Sequence, residues 1–178
     1  LPWARMTAAD LDKHLAADSF PLRHGLCVVL LVFFFMRDLE CATVEYVDAR
    51  VDEVSEVVIM AMRVSKNDPR ALGCERRCVC VCVGAASPRT RPYHAALELT
   101  SFPRRRFGRR VFSDGFPLFP HVFGDPVPAD TMLDMITSTA VLLGEPLVNK
   151  AGWNRIGRHN WHATAAIPTG EVGLGVYK

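Results

Sequence analysis

The sequence predicts a single α+β domain over residues 1–178, with a mostly antiparallel or mixed sheet of about six strands, an N-terminal helix and one later amphipathic helix. Three observations lead to this prediction. The chain has 178 residues, 49% of them hydrophobic and 22% charged, which suits one well-packed core and is short for two domains. Most apolar runs have strand length and are bounded by turn residues. The clearest helical spacing of apolar side chains lies at residues 130–143.

The first part of the chain is predicted to form a helix followed by two strands. Thr7 as an N-cap, with Asp10 three residues later, resembles a capping box and predicts a helix over residues 7–17. The continuous apolar run at residues 26–36 predicts a central strand covered on both faces. This run is shorter than the roughly twenty residues that span a bilayer, so no membrane partner is expected. Residues 42–48 alternate and predict a second strand.

The later elements are predicted from β-branched content and from start and stop signals. Residues 56–64 favour a strand, although the valines and alanines of residues 51–61 also fit a helical stripe. Residues 77–83 and 95–100 predict further short strands. Asp130 is a suitable cap for a helix over residues 130–143, and Gly144 and Pro146 end it. Residues 163–177 predict a closing hairpin.

The segment 112–128, FSDGFPLFPHVFGDPVP, is predicted to be an ordered loop. Its four prolines and two glycines exclude a regular helix or a central strand. The side chains of Phe116, Phe119 and Phe123 carry enough apolar area to hold the loop against a core. His121 then lies on a rigid backbone, which is typical of a binding or proton-transfer group. The alternative is that His121 caps a turn or hydrogen-bonds a carbonyl.

A basic segment precedes this loop and contains five arginines, one phenylalanine and one glycine. Arginine side chains of this kind clamp phosphates, and an adjacent aromatic ring stacks on a base. The alternative is an ordinary solvated loop. Only four of the 21 basic residues are Lys, which suits phosphate binding, but GC-rich coding gives the same excess of Arg. The segment consists of Arg104, Arg105, Arg106, Phe107, Gly108, Arg109 and Arg110.

The cysteine cluster at Cys74, Cys78, Cys80 and Cys82 does not have the spacing of a zinc site, because the chain contains no Cys-x-x-Cys. We interpret Cys78, Cys80 and Cys82 as small apolar side chains on one face of a strand. Reduced cysteines fit an intracellular protein, cytoplasmic or organellar. No metal site is expected. The chain also lacks a Walker A loop, a dinucleotide glycine fingerprint and a Gly-x-Ser-x-Gly elbow, which excludes those enzyme classes and names no cofactor.

The element from Gly115 to Pro128 resembles the Phe-Pro-His-aromatic-Gly-Pro-x-Pro element of a family of small bacterial and plant domains of unknown function. That family resembles the ADP-ribosyltransferase fold, which holds a dinucleotide in a cleft of a split sheet. The resemblance covers about twenty residues and carries over His121 alone. The family's second signature, Ile-His-Leu-Ser-Thr after an apolar pair, is missing, and Tyr93-His94 is the nearest substitute.

Two functional hypotheses follow from these patterns. In the first, a cleft beside His121 and Phe123 binds a nucleotide-like or other small anionic ligand, with Arg109 or Arg110 on its phosphates. In the second, the domain is a non-enzymatic subunit of a larger assembly, such as a ribonucleoprotein, and residues 104–110 contact RNA. Whether the protein is an enzyme stays open.

Overall fold

A computed structural model describes residues 12–13, 18–63, 73–80, 91–148, 150–152 and 154. Short 3₁₀ helices cover Tyr46–Asp48 and Gly108–Phe112. The regular elements are, in chain order, α1 (His24–Phe33), α2 (Asp38–Thr43), β1 (Ala49–Asp52), β2 (Val57–Met62), β3 (Cys74–Val79), α3 (Pro92–Phe107) and α4 (Ala129–Leu142).

The sheet within the described residues has three antiparallel strands in the order β1–β2–β3. The strand β2 pairs with both neighbours, with Met60 opposite Ala49 on one side and Val58 opposite Cys78 on the other. Its side chains alternate, so Val58, Met60 and Met62 are buried. The α+β class agrees with the sequence-based prediction, but the prediction of about six strands is wrong.

Most of the apolar run at residues 26–36 lies in helix α1, which ends at Phe33, and not in the predicted central strand. Its β-branched residues favour a strand locally, but helical spacing places Cys27, Leu30, Leu31 and Phe34 together in the core with at most 1% of each exposed. A short helix that is apolar on nearly all sides is stable when it is surrounded by protein. The continuous apolar run therefore predicts that the segment is buried. Whether it forms a helix or a strand depends on the elements that pack around it.

Two other predicted strands are also helical. Residues 42–48 form the end of α2 and the following 3₁₀ helix, and α2 begins where the Arg37 backbone N–H donates to the Glu40 carboxylate at 3.0 Å. Residues 95–100 lie inside α3, which has Pro92 in its first turn. Alanine, leucine and glutamate at residues 95–99 are good helix formers, and this propensity was overlooked.

The remaining elements follow the predictions more closely. Strand β2 lies within the predicted strand 56–64, and α4 matches the predicted helix 130–143 to within a residue at each end. Strand β3 overlaps the predicted strand 77–83 as far as Val79. Apart from Asp12 and Lys13, the predicted helix 7–17 lies outside the described residues, as does the predicted hairpin 163–177.

The core lies where α1 and α3 pack together, with α3 against the sheet and α2 against α4. The loop 112–128 closes this core, because Phe116, Leu118 and Phe119 are buried in it. Backbone bonds from Tyr46 N–H to the Phe116 carbonyl (2.8 Å) and from Leu118 N–H to the Val44 carbonyl (3.0 Å) fix the loop. The predicted ordered loop is confirmed, and it closes over the end of α3. No helix of the described ranges is long and apolar enough to cross a membrane.

Candidate anion-binding cleft

A cleft of about 590 Å³ opens between α3 and β1. Arg50 lines it from the strand, and Thr100, Arg104 and Arg105 line it from the helix. A second hollow of about 390 Å³ is lined by Arg104, Gly108, Arg109 and Phe112. Arg104 and Phe112 line both hollows, so the two lie side by side on the surface. Their volumes are in the range of small-molecule sites.

The rings of Phe112 and Tyr46 form an aromatic wall of the larger cleft. The Phe112 side chain is 53% exposed. Its ring meets the ring of Tyr46 edge-on, with centroids 5.7 Å apart. The Tyr46 hydroxyl donates to the Thr100 carbonyl at 2.7 Å, which ties this wall to α3. Phe112 thus presents apolar ring surface to solvent at a fixed position.

Positive charge surrounds this wall. Arg104, Arg105 and Arg109 are exposed, and none of them forms an ion pair with a carboxylate of the described residues. The Arg104 guanidinium lies over the Phe112 ring, 5.7 Å from its centroid. In the lining of the larger cleft, Arg50 is paired with Glu75, and Glu53 is the acidic member. The unpaired arginines leave the surface with an excess of positive charge.

The helical spacing of the basic segment explains why its arginines separate. Arg104 and Arg105 are in the last turn of α3 and line the cleft, and the next residue, Arg106, lies about 100° further round the helix. Gly108, with a φ of 60°, ends the helix and turns the chain into the 3₁₀ helix that carries Arg109 and Phe112. Cations at a helix C-terminus also interact favourably with its dipole.

Arg106 and Arg110 lie on the other side and hold the proline-rich loop. The Arg106 guanidinium donates to the Val122 carbonyl at 3.2 Å, and that of Arg110 donates to the Phe123 carbonyl at 3.1 Å. Arg110 also approaches the Asp125 carboxylate at 3.9 Å. These guanidinium groups therefore have partners within the protein.

His121 is half-buried in the same loop. Its Nε2–H donates to the Asp18 carbonyl oxygen, and its backbone N–H donates to the Asp125 carbonyl at 2.8 Å. Its ring packs on that of Phe123, with centroids 5.8 Å apart. His121 lines neither of the two hollows. Phe123 is 71% exposed, so the prediction that it anchors the loop to the core is wrong.

The structure thus divides the residues that the sequence singled out. His121, Phe123 and Arg110 come together at the loop, whereas Arg104, Arg105 and Arg109 lie at the cleft. Phe107, predicted to stack on a base, is half-buried, with its ring 5.4 Å from that of Phe116.

The sequence-based reasoning missed Phe112 as the exposed ring of the basic surface. No spacing in the sequence marks it, because Gly108 ends the helix between Arg104 and Phe112 and redirects the chain. It also missed Tyr46 and Arg50, which are distant in sequence and reach the cleft through the fold.

No family model matches the chain, and no curated protein or solved structure matches it significantly. The resemblance to the Phe-Pro-His-aromatic-Gly family and its ADP-ribosyltransferase-like fold therefore stays a prediction. Within the part of the chain that the structure describes, no group of three or more His, Cys, Asp or Glu side chains is arranged to hold a metal ion.

Proposed function

We propose that the cleft between α3 and β1 binds a small phosphate-bearing ligand of nucleotide type. The observation that carries this proposal is the position of three exposed arginines, which form no ion pair with a carboxylate of the described residues, beside one exposed ring, Phe112, at two adjacent hollows. Arginine forks match phosphate oxygens, and a planar base stacks on an aromatic face. The three arginines are Arg104, Arg105 and Arg109.

Each group has a distinct role in this proposal. Arg105 and Arg109 contact the phosphates from two sides, since one lines the larger cleft and the other the smaller hollow. Phe112, which lines both, supports the base. Glu53, the acidic residue of the larger cleft, accepts a hydrogen bond from a ribose hydroxyl or from an exocyclic amine. A ligand with both a phosphate and a ring fits this surface better than a bare anion.

This proposal moves the ligand from His121 to the cleft. The His121 Nε2–H and the guanidinium groups of Arg106 and Arg110 already donate to backbone carbonyls. An anion bound there has to compete with those hydrogen bonds. Within the described ranges, the guanidinium groups of Arg105 and Arg109 form no hydrogen bond or ion pair, so a phosphate at the cleft does not have to displace one.

The test is isothermal titration calorimetry of the purified protein with AMP, ADP, ATP and inorganic pyrophosphate. We expect binding of at least one nucleotide, weakened on the order of tenfold by Arg105→Gln or Arg109→Gln because one charge-assisted hydrogen bond is lost. Arg106→Gln is the matched control, since it removes the same charge from the adjacent position but lies on the loop side. Absence of heat with all four ligands, or equal effects of Arg105→Gln and Arg106→Gln, contradicts the proposal.

A second candidate, contact with single-stranded RNA within a larger assembly, is favoured by the continuation of the basic surface past the cleft to Arg109. An open strip of arginines with one exposed ring is suited to a flexible strand. Filter binding to a short oligouridylate across a salt series tests it. RNA binding gives an affinity that falls steeply with salt and is reduced by Phe112→Ala. No retention at low salt excludes it.

A further inference from the structure

A cysteine and a histidine meet at the opposite end of α3 from the basic segment. Cys80 directly follows β3, and its backbone N–H donates to the Glu56 carbonyl at 2.8 Å, which extends the β2–β3 ladder by one residue. His94 is the third residue of α3. The Cys80 Sγ atom lies 3.5 Å from the His94 Nε2 atom. Both side chains are half-buried, so the pair is held in place and still reaches solvent.

This geometry suits proton transfer from the thiol to the imidazole. A distance of 3.5 Å is a sulfur–nitrogen hydrogen bond. An imidazole that takes the thiol proton leaves a thiolate, which is the nucleophilic form of cysteine. The Tyr93 ring packs edge-on against the His94 ring at 5.1 Å and fixes its orientation. The first turn of a 16-residue helix also supplies a positive end of the dipole next to the sulfur.

The other described cysteines lack this arrangement. Cys78 lies two residues earlier, within β3, where burial raises the pKa of its thiol to about 11. Cys74 is exposed, and no imidazole contacts it within the described residues. Burial raises the pKa values of Cys27 and Cys41 well above their usual range. Cys80 is thus the one among these five that combines access with a hydrogen-bonded base.

We propose that Cys80 and His94 form a thiol–imidazole pair that reacts with low-molecular-weight disulfides. His94 accepts the Cys80 proton, and the thiolate attacks one sulfur of the disulfide. A bond forms between the Cys80 Sγ atom and that sulfur as the original S–S bond breaks. The released thiolate takes the proton back from the His94 imidazolium. The product is a mixed disulfide on Cys80 and one free thiol, so atoms and electrons balance.

The charges around the pair decide which disulfide suits it. Burial raises the pKa of Tyr93, and the carboxylates of Glu53 and Glu56, in the turn between β1 and β2, and of Asp52, at the end of β1, raise it further. The negative charge of these carboxylates repels anionic reagents that approach the pair. A neutral disulfide such as hydroxyethyl disulfide is therefore expected to react faster than the anionic oxidised glutathione.

The experiment measures the rate of mixed-disulfide formation at each cysteine of the native protein, with hydroxyethyl disulfide at pH 7 and fragment-ion mass spectrometry. We expect Cys80 to react at least tenfold faster than Cys74, the exposed reference in the same molecule. His94→Gln is expected to remove this advantage and leave the Cys74 rate unchanged. The readout separates Cys80 from Cys78 and Cys82 by the mass of each fragment.

The choice of disulfide supplies a second measurement on the unsubstituted protein, which holds even if His94→Gln does not fold. Replacing hydroxyethyl disulfide by oxidised glutathione is expected to slow the reaction at Cys80 more than the reaction at Cys74, because the carboxylates beside the pair repel the anionic reagent. A Cys80 rate no greater than that of Cys74, or an equal effect of the two reagents at both cysteines, overturns the proposal. A folded His94→Gln variant with an unchanged rate ratio overturns it as well.

Discussion

Arg76 connects the sheet to the end of α1 and to α2, and its removal is expected to destabilise the protein strongly. Its guanidinium donates to the carbonyl oxygens of Phe34 and, at 3.0 Å, of Phe35, which follow the last turn of α1. The same Nη1 atom lies 3.5 Å from the Glu40 carboxylate, whose side chain is only 4% exposed. Arg76→Met keeps the apolar stem and removes these three contacts.

The magnitude follows from the contacts and their burial. A hydrogen bond to a charged group contributes about 1.5–3 kcal/mol, and the lower part of this range applies because the Arg76 side chain is 30% exposed. Together with the loss of a partner for the buried Glu40, the cost is about 3 kcal/mol. For a chain of this size that lowers Tm by about 6–12 °C.

The assay is urea denaturation followed by circular dichroism, with Arg77→Met as the matched control. Arg77 is the next residue, and its exposed pair with Glu75 contributes about 0–1 kcal/mol. The reasoning is refuted if Arg76→Met costs less than about 1 kcal/mol, or if the two variants are equally destabilised.

Three further predictions concern the loop and the sheet. Phe119→Ala, at a side chain with no exposed surface, is expected to cost about 3–5 kcal/mol in denaturation, and a loss below about 1 kcal/mol contradicts its place in the core. Gly124→Ala is expected to lower the free energy of unfolding by about 1–2 kcal/mol, because φ is +92° and the new Cβ meets Arg110 and Phe107 atoms at 3.3 Å. An unchanged denaturation midpoint contradicts this loop geometry. Ser55→Ala is expected to raise the pKa of Asp52 towards its usual value, since the Ser55 hydroxyl bond is the main cause that lowers it. Because the pKa of Asp52 is lower in the folded state, the Ser55 bond stabilises the protein at pH values above the pKa of the unfolded state. This stabilisation is lost as the pH falls through the pKa of the folded state. An NMR titration of Ser55→Ala with no change in the Asp52 pKa contradicts this prediction.

The elements that the sequence predicted correctly are those in which local pattern and tertiary environment agree. The strand β2 is β-branched and alternates, and α4 has both an apolar stripe and stop signals at Gly144 and Pro146. The apolar run in α1 is compatible with a buried strand and with a buried helix. The contacts with α3 favour the helix, and these contacts cannot be seen in the local sequence pattern. Residues 95–100 are too few to show the helical period, which becomes visible only over the full length of α3, Pro92–Phe107.

The candidate site was predictable in its residue types and only partly in its geometry. The basic segment is visible in the sequence as a concentration of charge, but the helix directs Arg105 to the cleft and Arg106, about 100° further round, to the loop. The pairing of Arg106 and Arg110 with loop carbonyls depends on the path of residues 121–125. The partnership of Cys80 with His94 also joins elements that the sequence does not show to be adjacent.

The most direct test of the proposed cleft is a two-dimensional ¹H–¹⁵N NMR titration with a nucleotide, comparing backbone amide shifts along the chain. The proposal predicts concentration-dependent shifts that cluster at residues 100–112 and at Arg50, with the amides of His121 to Asp125 nearly unchanged. Shifts that centre on His121 and Phe123 would show that the nucleotide binds at the proline-rich loop and would contradict binding at the cleft. Shifts that are absent at every nucleotide concentration would contradict nucleotide binding in the cleft.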